Sequence, residues 1–289
     1  MKNLNRSNSK FMNSRVCRLC RDAFASIFFR NYVPLVYFSE IKNVGDLISP
    51  YLTERITNKR VRCVETSVLP RLLGVGSILG NGSFNSYIWG SGSINGQLPN
   101  RKLDPKKIFA VRGKLTLALL ESRYKVAENL PLGDPALLMP RFFKPLSGIQ
   151  FRVGIVPHYV DADQAEYLLR KCQSDFTIID VRQDPETFIS KIAECELILS
   201  SSLHGLILAD AYGIPNRWVR FSDSIVGGFW KFLDYYSITD NHSPSPLQIS
   251  QVADIFNSIE EPEKVFRVSH NKCSLDRLYE SFPVEAFCQ

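Results

Sequence analysis

Apolar and polar residues alternate along the chain in blocks that change period from two to about 3.6, the mark of strands followed by helices. Residues 34–39 read as a strand, and 47–56 as a helix entered through a Gly45-Asp46 turn. Strands are predicted at 61–64, 72–75 and 108–111, and a helix at 114–122 with Leu115, Leu119 and Leu120 on one face. The stretch 74–96 is rich in Gly, Ser and Asn and reads as loops that approach a ligand or another backbone closely. A proline-rich join at 140–145 precedes a restart of the pattern. Strands at 153–156, 176–181 and 197–199 alternate there with helices at 164–172, 185–195 and 203–212, the last ended by Gly213 and Pro215.

Alternation of this kind predicts parallel sheets covered by helices, an α/β fold. Two such runs predict two Rossmann-like lobes facing one cleft, over 34–148 and 149–246. A tail over 1–33 precedes them, and a helical segment over 247–289 is expected to pack back across the first lobe. An aromatic stretch, 227–236, combines a glycine pair with Lys231, Asp234 and Tyr235; it offers a hinge, a cation and stacking rings, or else reads as a partly buried strand with a snorkelling lysine.

The chain has 289 residues, 45% apolar and 22% charged, which is ordinary for a globular protein. Its formal charge of +6 is concentrated in residues 1–30, where seven basic side chains face Asp22 alone, so the remainder is balanced. The body therefore shows no signature of nucleic-acid binding, while the basic arm reads either as a solvated tail or as a peripheral contact with anionic lipid. No run approaches the ~18 apolar residues of a membrane span, and 23–29 is too short for a secretory core, so a cytoplasmic location is expected. Seven scattered cysteines suit free thiols. Cys17-x-x-Cys20 has no second pair at metal-ligand spacing, and neither a metal nor a resident cofactor is expected.

Chemistry concentrates at Ser200-Ser201-Ser202-Leu203-His204-Gly205, where a buried strand meets a helix. The serines are natural N-caps, and the unpaired N–H groups of a first helical turn suit phosphate or carboxylate. A histidine there can act as general acid beside a bound anion. Arg112 follows a strand in the same way, and a guanidinium grips carboxylates bidentately. Asn43-Val44-Gly45-Asp46 and Gly74-Val75-Gly76-Ser77 are polar turns at comparable places, though neither is a dinucleotide fingerprint or a P-loop.

In order along the chain, Asn-Val-Gly-Asp (43–46), Gly-Val-Gly-Ser (74–77), Trp-Gly-Ser-Gly (89–92), Val-Arg-Gly-Lys-Leu-Thr (111–116), Gly-Asp-Pro-Ala-Leu-Leu (133–138), Ser-Leu-His-Gly-Leu-Ile (202–207) and Lys-Phe-Leu-Asp-Tyr-Tyr (231–236) resemble the polysaccharide pyruvyl transferases, especially those that decorate exopolysaccharides such as succinoglycan or xanthan. The resemblance implies a two-lobed fold like the GT-B glycosyltransferases, with phosphoenolpyruvate as donor substrate and a saccharide acceptor, free or lipid-linked. It implies His204 as catalytic acid, with Arg112, Ser202, Leu203, Gly205 and Lys231 around the donor. Asn43, Asp46, Gly76, Ser77, Asp234 and Tyr235 would line the acceptor side, Asp46 and Asp234 as bases, and loops of 74–97 would choose the sugar. Relatives carry an arginine two places before the histidine. Ser202 stands there in this chain, so one anion contact is either missing or supplied from elsewhere, with Lys231, Arg220 and Arg217 as candidates. Two rival readings share these features: a GT-B glycosyltransferase using a nucleotide sugar, and a non-catalytic carbohydrate- or lipid-phosphate-binding module.

Overall fold

The computed structural model describes residues 31–146, 148–170, 175–241, 244–260 and 272–288. The basic arm up to residue 30, with Cys17 and Cys20, lies outside the described residues. Five short strands form the first sheet: β1 (Tyr32–Val36), β2 (Arg60–Cys63), β3 (Arg71–Leu73), β4 (Ser86–Trp89) and β5 (Ile108–Ala110). All its pairings are parallel, in the order β2-β1-β3-β4-β5, with Leu35 opposite Leu72. Strand β4 lies inside the stretch expected to be loops. Its four residues are flanked by Gly82 and Gly90, and its inward Ile88 and Trp89 are buried on both sides, so no alternation betrays it.

The second sheet is also parallel, in the order β10-β9-β8-β6-β7. It comprises β6 (Phe151–Val156), β7 (Phe176–Ile178), β8 (Cys195–Ser200), β9 (Asn216–Arg220) and β10 (Leu247–Gln248). The α/β class with two parallel sheets thus stands. Parallel strands need crossovers, and here helices α1 (Val44–Thr57), α2 (Lys114–Glu121), α3 (Ala162–Leu169), α4 (Pro185–Ala193) and α5 (Leu203–Ala211) serve among them. No helix of the described residues is long and apolar enough to cross a membrane.

Helix α1 begins three residues earlier than its apolar pattern suggests. Asn43 has an extended backbone and its Oδ1 accepts from Gly45 N at 3.1 Å, so Gly45 and Asp46 belong to the first turn rather than to a preceding one. Helix α5 is apolar almost all round, and a helix of that kind belongs in a core. Leu206 and Ile207 share one cluster with Val44, Ile48 and Leu52 of α1, each such burial being worth about 1.5–3 kcal/mol. That shared cluster, with the Val44 N–H donating to the Val181 carbonyl, ties the two sheets together.

The stretch 227–236 differs from the strand predicted. It forms helix α6 (Trp230–Tyr236), because Phe232, Tyr235 and Tyr236 bury one face at helical spacing, with Trp218 stacked on Phe232 at 4.4 Å. The last segment divides. Strand β10 and α7 (Val252–Glu260) complete the second sheet's core through Ile249 and Ile255, whereas α8 (Lys272–Glu280) and α9 (Val284–Phe287) cover the first sheet. There Leu278 packs in the cluster of Trp89, whose indole N–H donates to the Leu278 carbonyl at 2.9 Å.

Candidate functional site

The C-terminal ends of β1, β3, β6 and β8 open onto one cavity of about 660 Å³, where ligands of open α/β sheets bind. From the first sheet come Asn43, Asp46, Gly76 and Ser77, and from the second His158, Ser202, Leu203 and His204, with Lys231 between them. Of the residues expected from sequence, these eight apart from His158 are brought together. Loop 74–97 contributes further wall through Ile78, Asn81 and Ile94, and Tyr37, Glu40, Glu65 and Arg101 form the rim.

The serine run does not cap α5 in the way its composition suggests. Ser202 occupies the N-cap position with φ −95° and ψ 129°, but its side chain makes no capping bond. Ser200 accepts from the Ser202 N–H at 3.0 Å, and Ser201 accepts from the His158 N–H and donates to Asp161. Two serines thus brace the neighbouring turns, and the third faces the cavity beside an uncapped helix start, a place suited to an anion. Gly205 points the other way: a Cβ there would lie 2.3 Å from Ser200 Oγ, so it packs the helix on its strand rather than touching a ligand.

His204 lies in the first turn of α5 with its side chain 12% exposed. Its Nε2 is 3.7 Å from Oδ2 of Asp134, a fully buried carboxylate whose Oδ1 caps the turn at Pro135–Arg141 by accepting from Ala136 N. The other edge of the ring rests on Gly45, where a Cβ would fall 2.0 Å from Nδ1. Asp46, one residue on, faces the same cavity. Burial lifts its carboxyl to about 6, a rise held back by His204, a hydrogen bond from the Phe38 backbone, and Lys231.

Lys231 is 8% exposed and lines the cavity; its ammonium makes no hydrogen bond to the described residues and lies 5.6 Å from the centre of the Phe232 ring. Burial and the Arg112 charge bring it down to about 8, against an upward pull from Asp46. Lowering from 10.5 to about 8 corresponds to roughly 3 kcal/mol of native-state penalty on the ammonium at neutral pH. The penalty is present in full below about pH 8 and relieved as pH rises toward 10.5. Lys231→Met is therefore expected to raise the chemical denaturation midpoint at pH 7 while abolishing anion binding; a lowered midpoint would show that the ammonium is stabilised by something other than water in the cavity.

Arg112, expected to grip the donor, is not on the cavity wall. It is fully buried, with Nε on Asp234 Oδ2 at 2.9 Å, one terminal nitrogen on Ser93 O at 2.7 Å and the other on Ser77 Oγ. Asp234, expected as a base, is equally buried and accepts from Arg112 and from Thr116 N and Oγ1. Through these bonds the pair ties Ser77, the 93–97 turn and α6, which carries Lys231, to one another behind the wall. The motifs around them follow: a Cβ at Gly92 would lie 2.3 Å from the guanidinium carbon, and one at Gly113 would lie 1.8 Å from the Asp234 carbonyl. Tyr235 also turns inward, its hydroxyl donating to Asp210 at 2.6 Å. Arg220 pairs with Asp223 and Gln248, and Arg217 is buried away from the cavity, so of these three cations Lys231 alone lines the cavity.

His158 was not singled out by sequence. It follows the end of β6 after Pro157, as Ser201 and Ser202 follow β8, and that placement is the available signal. Its Nδ1 accepts from Val160 N at 3.4 Å, and burial with the Lys231 charge brings it down to about 4. It is thus neutral at physiological pH and offers Nε2–H to the cavity. Among the described residues no group of three or more His, Cys, Asp and Glu could hold a metal ion.

The family model for polysaccharide pyruvyl transferase matches residues 84–223. Two relatives are similar in sequence. An uncharacterised protein of Acanthamoeba polyphaga mimivirus is 32% identical over 218 residues, 72% of this chain and 75% of its own. The succinoglycan biosynthesis protein ExoV of Rhizobium meliloti (strain 1021) is 34% identical over 167 residues, 55% of this chain. The chain spans about half of ExoV, 51% of its length. Among solved structures, an uncharacterised protein of Klebsiella pneumoniae gives a TM-score of 0.43 at 12% identity over 86% of this chain and 100% of its own. The wall teichoic acid polymerase TagF gives 0.43 at 10% identity, over 90% of this chain and 85% of its own. This chain belongs to the polysaccharide pyruvyl transferase family.

Proposed function

We propose that this protein transfers the pyruvyl group of phosphoenolpyruvate to a sugar of a polysaccharide, or of its lipid-linked precursor, as a cyclic ketal, between two lobes arranged in the GT-B manner. The observation that carries the reading is a single cavity holding His204, the uncapped start of α5 and the buried Lys231, whose ammonium has no carboxylate paired to it among the described residues. Family membership and the likeness to ExoV, named for succinoglycan biosynthesis, support a saccharide acceptor.

In this reading the donor carboxylate and phosphate lie between Lys231, Ser202 and the first N–H groups of α5. His204 protonates the methylene carbon, leaving an oxocarbenium-like centre at C2. One sugar hydroxyl adds there while Asp46 takes its proton, phosphate departs by C–O cleavage, and the second hydroxyl closes the ring. Of the two hydroxyl protons, one ends on the new methyl group by way of His204 and the other on phosphate. The rim of Tyr37, Glu40, Glu65 and Arg101 is the side from which the sugar enters.

A bell-shaped dependence of kcat/KM on pH is expected, because that ratio reports groups of the free enzyme. Activity falls below about pH 6 as Asp46 is protonated and can no longer accept a proton, and above about pH 8 as Lys231 loses its charge. Asp46→Asn should lower the plateau and remove the acid limb alone; an unchanged acid limb would exclude Asp46 as the base. The donor itself is tested by calorimetry. Phosphoenolpyruvate should bind and Lys231→Met should not bind it, whereas binding of a nucleotide sugar without phosphoenolpyruvate would identify a glycosyltransferase.

A further inference from the structure

We infer that Asp134 is a positioning residue that holds the His204 ring and selects which of its nitrogens meets the donor; the inference rests on His204 as the acid. Two buried polar atoms near the cavity lack any hydrogen-bond partner, Asp134 Oδ2 and His204 Nε2, and they face each other across 3.7 Å. Buried polar groups are nearly always paired, so two orphans at this distance point to a contact that closes when a ligand settles the ring.

Everything around the pair restricts it to that contact. Asp134 is fully buried, is followed by Pro135, and has Oδ1 committed to Ala136 N at 3.0 Å, so Oδ2 can turn only with the whole turn. Across the ring, Gly45 leaves room for the imidazole and for nothing larger than hydrogen on its own α-carbon. Nε2 is sealed from the cavity, so His204 meets a ligand through the remaining nitrogen, Nδ1. A carboxylate accepts only, so Oδ2 requires a proton on Nε2. In the neutral ring Nδ1 is then the basic nitrogen, free to take up and hand on a proton at the cavity edge, while Nε2–H stays with the carboxylate.

Asp134→Asn separates this role from capping. Ala136 N needs an acceptor, so the amide oxygen stays on the cap, where Asn serves as well as Asp, and the NH₂ group turns to Nε2. The unfolding midpoint should be unchanged and the donor KM should stay within about twofold, while kcat for acceptor-dependent phosphate release falls by about 100-fold or more. Nitrogen-15 shifts of His204 in the ligand-free protein give a reading independent of turnover. In its neutral form the wild-type ring should carry its proton on Nε2 and the variant's on Nδ1. A wild-type ring protonated on Nδ1, or a variant that keeps both kcat and the Nε2–H form, would overturn the assignment. The tautomer switch in a protein that releases no phosphate from phosphoenolpyruvate would leave the pair standing and remove the reaction proposed for it.

Discussion

Gly45→Ala should remove turnover by about 10²- to 10⁴-fold, the full worth of a general acid, although it adds a single methyl group. The added carbon would lie 2.0 Å from Nδ1, 2.4 Å from Cε1 and 2.6 Å from Cγ of His204. No real Cβ tolerates such distances, so the ring must leave its place against Asp134. Gly45 lies in the first turn of α1, and alanine is the better helix former by up to about 1 kcal/mol, so the helix itself has no reason to unfold. The expected pattern is thus a folded protein, with circular dichroism and unfolding midpoint near wild type, whose residual activity equals that of His204→Ala. Combining the two substitutions should add little, because each removes the same group. Wild-type turnover in Gly45→Ala would mean that His204 works from another position.

Arg112→Ala should act on the fold instead, destabilising it by about 3–5 kcal/mol, because it leaves the Asp234 carboxylate buried without its cation. Arg112→Lys should recover little of this, since an ammonium cannot reach Asp234, Ser93 and Ser77 in the planes that a guanidinium spans. Replacing both partners, as Arg112→Met with Asp234→Leu, should return much of the loss in a denaturant titration. The donor-binding role expected from sequence predicts the opposite, a raised KM for phosphoenolpyruvate on an undisturbed fold. A stable Arg112→Ala protein with weakened donor binding would restore that role.

These two cases also mark how far the sequence reaches. The strand-to-helix junction at His204 and the polar turns at Asn43–Asp46 and Gly76-Ser77 were legible, because parallel sheets place such junctions at one edge and the residues there are unusually polar. What the sequence leaves open is the direction of a side chain. Arg112 follows β5 just as His204 follows β8, yet it turns into the core, because Asp234, 122 residues later, awaits it there. Nothing local announces that pairing. The same holds for α6, whose aromatic residues carry strand propensity but find a helical face against Trp218. Asp134 stands in the sequence only within the run Gly-Asp-Pro-Ala-Leu-Leu; the structure gives one of its oxygens to a cap, and the other becomes meaningful once His204 is seen 3.7 Å away. His158 was missed for a simpler reason, that a histidine after a proline at a strand end has no motif to mark it.

The most direct test of the whole account is phosphate release from phosphoenolpyruvate by the purified protein, with a panel of galactosides, glucosides and mannosides and their lipid-linked forms, beside His204→Gln. The account predicts release that depends on an acceptor, leaves a pyruvate ketal on the sugar, and disappears in the variant at unchanged fold. Release that persists in His204→Gln, or a protein that binds nucleotide sugars and ignores phosphoenolpyruvate with every acceptor, would contradict it.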